Sequence, residues 1–172
     1  MAAKKRFIIM QELFFSFREE IMTVLLAAAP VSELRGAIPV ALEVYNFSIT
    51  KSFLLSAIGN FLPVPILIFA LDSIVSVCSK RSEFCKKIFE KYLHRTEHKL
   101  RSSFDRYGAL ALAIFVAIPL PMTGVWTASM AAVFFGIKPR VAIIAITSGM
   151  LVAGIIVTLA TVGAVSVFNI FV

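Results

Sequence analysis

Charge is what this sequence has least of. Only 16% of its 172 residues are Asp, Glu, Lys or Arg, against 59% hydrophobic, and the mean hydropathy is +0.92. A chain so apolar cannot cover its own surface with polar groups, which excludes an ordinary water-soluble domain. Residues 52–71, 107–137 and 141–172 hold no charged side chain at all, and a helical crossing of the bilayer core needs only about 20 apolar residues. The expected class is an all-α integral membrane protein of one membrane domain. Cysteine is scarce too: Cys78 and Cys85 match no CxxC metal or redox pattern and read as unpaired thiols. There is no P-loop, no pair of intramembrane aspartates and no Ser and His pair in the apolar segments. Those absences argue against an intramembrane enzyme, and nothing calls for a cofactor or metal.

The charge that is present is gathered in one place. Lys80 to Arg106 holds nine of the 17 Lys and Arg residues, with Glu83, Glu90, Glu97 and Asp105 between them. Such local excess beside apolar spans is no nucleic-acid signature. It sets orientation and attracts anionic lipid headgroups, so this segment is expected on the cytoplasmic face of the cell membrane. Phe84, Ile88, Tyr92, Leu100 and Phe104 recur there at multiples of four, which predicts a basic amphipathic linker helix over 80–106. His94-Arg-Thr-Glu-His98 matches a short zinc-peptidase string, but no distant third ligand accompanies it. Asn46-Phe-Ser48 is a glycosylation sequon of equally low information. The basic start Met1 to Arg6 is not read as a cleaved signal, because Gln11 and Glu12 interrupt the apolar run and no small-residue cleavage site follows.

Two strings stand out within the apolar stretches: Pro30-Val-Ser-Glu-Leu-Arg-Gly-Ala-Ile-Pro39 and Pro119-Leu-Pro-Met-Thr-Gly-Val-Trp126. Proline removes a backbone donor, and hydrocarbon has no water to repair the loss, so such breaks persist only when buried in protein or lining a cavity. Pro30, Pro39, Pro119 and Pro121 are therefore expected to break helices into half-length arms. The resulting plan is an amphipathic surface helix at 7–20, a re-entrant hairpin at 21–47, a transmembrane helix at 52–77 kinked near Pro63 and Pro65, the basic linker, a second re-entrant hairpin at 107–137, and a transmembrane helix at 141–168. Hairpin and span thus occur twice, with Gly36 near Gly124 and Gly59 near Gly149 in the two copies, the plan of an inverted repeat. Ala145, Gly149 and Ala153 form a small-residue stripe suited to close helix contact, internally or in a homodimer. The plan sets the N-terminus opposite the basic linker, against the preference of Lys4, Lys5 and Arg6. Four plain crossings remove that conflict but carry Glu33 and Arg35 through the bilayer centre, at about 2.5–3.5 kcal/mol per charge.

Glu33 and Arg35 are the ionisable residues of the first broken segment, and intramembrane charges mark function by default. An acid withdrawn from water is a candidate proton carrier, and an arginine stays cationic and suits a phosphate or carboxylate. The plainer reading is an ion pair that pins the hairpin. Glu43 and Asp72 read as interfacial acids. In the second string Thr123, Gly124 and Trp126 open a half-helix whose free N–H groups favour an anionic ligand group, although Trp126 could equally pack. Gly36 and Asn60 complete the candidate substrate or ion site, Asn60 having an interhelical hydrogen bond as its alternative.

The stretches Glu33 to Pro39 and Pro119 to Thr127 resemble the paired E-L-R-G-A-I-P and P-L-P-x-T-G-x-W-T strings of the small multidrug export protein family. The resemblance covers most of residues 25–160. It implies a prokaryotic membrane transporter that exports a small molecule. That family is in turn remotely similar to the DedA membrane proteins, which implies re-entrant hairpins and handling of polyprenyl-phosphate lipids, with Glu33 and Arg35 in the acid and arginine roles. The second hairpin has no arginine, and position 122 is Met where the family often has Gly. The expected function is a proton-coupled transporter of a small amphipathic or anionic substrate, with the two hairpin tips meeting. The alternatives are a lipid-phosphate translocase, a non-transporting membrane organiser and, least favoured, a hydrolase.

Overall fold

A computed structural model of the chain describes residues 16–81, 101–120 and 123–171. Residues 7–15 of the surface helix expected at 7–20, most of the basic linker with Cys85, His94 and His98, and Pro121 and Met122 lie outside those residues. Every regular element among the described residues is helical. We label them α1 (16–28), α2 (Glu33–Pro39, continued by a π-helical turn Val40–Val44), α3 (Ile49–Phe61), α4 (Pro63–Arg81), α5 (Arg101–Ala117), α6 (Val125–Phe134) and α7 (Pro139–Phe171).

Two helical segments, Ile49–Leu71 and Pro139–Ala164, are long and apolar enough to cross a membrane. Large apolar side chains project outward from them: Ile66 is 65% exposed, Ile144 70% and Leu159 68%. A surface of that kind is solvated by lipid and not by water. The chain divides into two compact units, one of Met1–Asn60 with Gly154–Val172 and the other of Phe61–Ala153.

In the first unit the core is made of small residues. Ala27, Ala37, Ala41 and Ala57 are buried together with Leu34 and Ile38. Small side chains let backbones come close where lipid supplies no hydrophobic drive to hold helices together. Gly59 marks the tightest approach: a Cβ built on it would lie 2.3 Å from the Val24 carbonyl oxygen and 2.8 Å from the Ala27 Cβ. Gly154 sits under the ring of Phe53, 2.8 Å from such a Cβ, with Leu34 at 3.6 Å. At the polar end of this unit Lys51 bonds Glu20 at 2.6 Å and lies 4.0 Å over the Phe47 ring. Asn46, at φ 52, turns the chain into α3, a conformation that asparagine tolerates better than most residues.

In the second unit α4 packs on α6, and α5 on α6 as well. Val64 and Ile68 of α4, Leu112 and Val116 of α5, and Val125, Ala128 and Ala132 of α6 are all buried. Gly149 repeats the approach seen at Gly59: its added Cβ would meet the Ala113 carbonyl oxygen at 2.3 Å and the Val116 Cβ at 3.0 Å. In both units, then, a glycine rides over a backbone carbonyl and the side chain three residues further on. Ala145, Gly149 and Ala153 are buried within this unit, so the stripe serves internal packing. Gly136, at φ 64, closes the turn after α6, where only glycine is free of strain.

Three boundaries differ from the sequence reading. α1 runs unbroken through Glu20 and Ile21, because Phe17, Ile21, Val24 and Ala28 continue one helical pattern. α5 likewise runs through Arg106 and Tyr107. Pro39 does not break its helix. The α-helix includes Pro39 and only after it widens into the π-helical turn, in which Tyr45 N–H reaches the Val40 carbonyl at 3.1 Å.

Gly59→Ala and Gly149→Ala should each destabilise the protein by about 1–3 kcal/mol through overpacking. Gly163, whose Cβ would meet nothing within 4 Å, is the control: Gly163→Ala should leave stability unchanged or raise it by up to about 1 kcal/mol. Thermal unfolding in detergent reads all three.

Candidate functional site

The first break is a four-residue turn, 29–32, between α1 and α2. Pro30 and Val31 are exposed at its tip, Val31 by 96%. The Ser32 hydroxyl donates to the Leu26 carbonyl, which also accepts from Ala29 N–H at 3.3 Å at the end of α1. Glu33 N–H then reaches back to the Ala29 carbonyl at 3.1 Å, and Gly36 N–H to the Ser32 carbonyl at 2.8 Å. A Cβ on Gly36 would lie 2.8 Å from the Ser32 Cβ. The glycine is there so that α2 can rise past that serine.

Glu33 heads α2 and is only 7% exposed. Its φ is +46, a left-handed conformation that costs a non-glycine side chain on the order of 1–3 kcal/mol and tends to persist at functional sites. Arg35 is half-buried one turn away from the break. Neither residue lacks a partner.

The second break, between α5 and α6, is also held by a hydroxyl. Thr123 Oγ1 lies 2.9 Å from the Ile118 carbonyl and 2.7 Å from the Leu120 carbonyl, so its one hydrogen serves either. The same oxygen accepts from Leu120 N–H at 3.2 Å. Thr123 is thus a clasp for the broken backbone. Gly124, extended at φ −92 and ψ −172, begins α6 with no side-chain cap. Its carbonyl accepts from the Thr127 hydroxyl at 3.0 Å and from Ala128 N–H at 3.1 Å. Trp126 is half-buried in the first turn, and Pro119 half-buried in the loop.

The expected residues therefore fall into two groups. Glu33, Arg35, Gly36 and Asn60 belong to the first unit, and Thr123, Gly124 and Trp126 to the second. Asn60 is 2% exposed and its Oδ1 has no hydrogen-bond partner. Among the described residues no cluster of three His, Cys, Asp or Glu side chains could hold a metal. Ser32 went unnoticed in the sequence, although a hydroxyl beside a helix-ending proline is the legible sign of such a clasp.

Removing either clasp should cost about 0.5–1.5 kcal/mol, the net contribution of one intramolecular hydrogen bond. Ser32→Ala and Thr123→Val should therefore lower the melting midpoint in detergent, whereas Thr123→Ser should stay close to the parent protein.

No curated protein and no solved structure matches this chain. A family model described as "putative small multi-drug export protein" matches residues 33–156, from the buried glutamate to the second long helix. That match takes in both broken segments and well over half of the 172 residues, and on it the chain belongs to the small multidrug export protein family.

Proposed function

We propose that this member of an export family is a proton-coupled, multi-pass transporter of the cytoplasmic membrane, and that Glu33 is its coupling acid. One observation supports this above the others: a buried carboxylic acid held at φ +46 at the head of α2, directly after the first break. At about 1.5 Å per residue, the α2 arm through Val44 is near 18 Å long, short of a bilayer core of about 30 Å. A length of that kind favours a re-entrant hairpin. The apolar part of α5, Tyr107–Ala117, and α6 are as short, which favours a second one. The matched glycine contacts at Gly59 and Gly149 favour an inverted repeat in which the two hairpins are counterparts.

In this reading protonation of Glu33 removes a charge that is costly at membrane depth, and so biases the accessible side. Arg35 supplies a permanent positive charge for an anionic or phosphate-bearing substrate group. The positive end of the α6 dipole, after Gly124, favours the same sign of ligand, with Trp126 as an apolar surface for an amphipathic body. A small amphipathic or anionic compound is the substrate class, and a lipid phosphate lies within it. Homodimers and anionic lipid at Lys80 to Arg106 belong to the same proposal.

In proteoliposomes, Glu33→Gln should abolish pH-dependent flux while leaving the unfolding midpoint near that of the parent. Unchanged flux would remove the coupling role. Glu33→Gly, which relieves the left-handed strain, should be more stable by about 1 kcal/mol and still inactive. Arg35→Ala should weaken binding of anionic ligands far more than cationic ones, and the reverse preference would point to export of cations.

A further inference from the structure

Helix α3 carries Ser52, Ser56 and Asn60 at i, i+4 and i+8, which sets them along one face over about 12 Å. All three are buried, at 0%, 0% and 2% exposure. The Ser52 and Ser56 hydroxyls and the Asn60 Oδ1 have no hydrogen-bond partner. That is unusual for hydroxyls on a helix, which ordinarily donate to the carbonyl one turn back. In this protein Thr23, Ser129 and Thr158 do so, at 2.9, 2.7 and 2.8 Å. The serines of α3 do not. Thr147 Oγ1 on α7 is also unmet, but Ile143 and Leu151 flank it one turn either way, so it forms no stripe.

Packing does not require these groups. In α7, Ala142, Ile146 and Met150 stand in the same positions relative to Gly149 as Ser52, Ser56 and Asn60 do to Gly59. They are buried to the same degree, at 0%, 0% and 2%. One helix thus fills this face with apolar side chains, and the other fills it with oxygens that nothing protein-borne satisfies. Buried polar atoms without partners destabilise, so a face of three has another occupant during the protein's working cycle.

We propose that this face of α3 is one wall of a water-filled path that opens during transport. The inference deepens the transporter reading and rests on it. Two hydroxyls that can both donate and accept, followed by an amide that presents its oxygen, match water molecules in file better than a bare multivalent ion. No residue of the stripe is charged. Water would enter along the face when it opens and leave when it closes as seen here.

The test is thiol accessibility in native membrane vesicles, after Cys78→Ser and Cys85→Ser remove the natural thiols. S52C, S56C and N60C should react with a cationic, water-borne methanethiosulfonate at least roughly ten times faster than L54C and I58C, since only a hydrated thiol ionises. Leu54 and Ile58 are 53% and 55% exposed on the outer side of the same helix, so they report the lipid-facing rate. Equal, slow rates at all five sites would overturn the proposal. A second arm does not depend on the cysteine variants folding: S52A/S56A/N60L should keep or raise the unfolding midpoint and should reduce flux at least about tenfold, because unmet oxygens are replaced by carbon. A lowered midpoint would show that the three groups have structural partners, and would overturn it too. Fast labelling without flux of any solute would leave the hydrated face standing and remove transport. Flux without labelling would do the opposite.

Discussion

Where a helix breaks inside an apolar stretch, the backbone carbonyls and amides freed by the break need partners within the protein. This chain supplies them in the same way twice. A proline ends the preceding helix, and a hydroxyl two or four residues beyond it, Ser32 or Thr123, reaches back to a carbonyl at that helix's end. Each clasp fixes where the next half-helix begins. In the first unit it begins with a buried acid in a left-handed conformation, and in the second with an uncapped helix end behind Gly124. The chemistry proposed for both segments follows from those beginnings.

The packing around the breaks is as economical in side-chain volume as the breaks are in polar groups. Gly59 and Gly149 lie close over carbonyl oxygens of the helices that precede the breaks, where an added Cβ would collide, so backbone meets backbone at those two points. The buried oxygens of α3 are the exception to that economy: a face that is costly when closed is one that gains from being open to water.

Much of this was legible in the residues. Charge-free runs placed the apolar spans, and proline beside glycine placed both breaks, because the backbone chemistry of those two residues is local and strong. The turn at Leu62 before Pro63 follows from the same rule. Other features depend on contacts that a linear reading does not contain. Pro39 looked like a breaker, but it lies inside a helix that runs on into a π-helical turn. Glu33 to Gly36 stood within the first broken segment, yet they are helical once Ser32 has closed the turn. Ser52 and Ser56 carried no signal at all, since serine is common in apolar helices and only the lack of a carbonyl partner sets these two apart.

The account stands on the first and second broken segments each returning to the side from which it entered. Labelling single cysteines with an impermeant thiol reagent in sealed, oriented vesicles, with Cys78 and Cys85 replaced, tests that directly. Cysteines at Glu19 and Asn46 should be reached from one and the same side, and so should cysteines at Tyr107 and Lys138. If either pair is labelled from opposite sides, the segment between them crosses the membrane, and the protein is a bundle of ordinary spans with no half-helix tips at its centre.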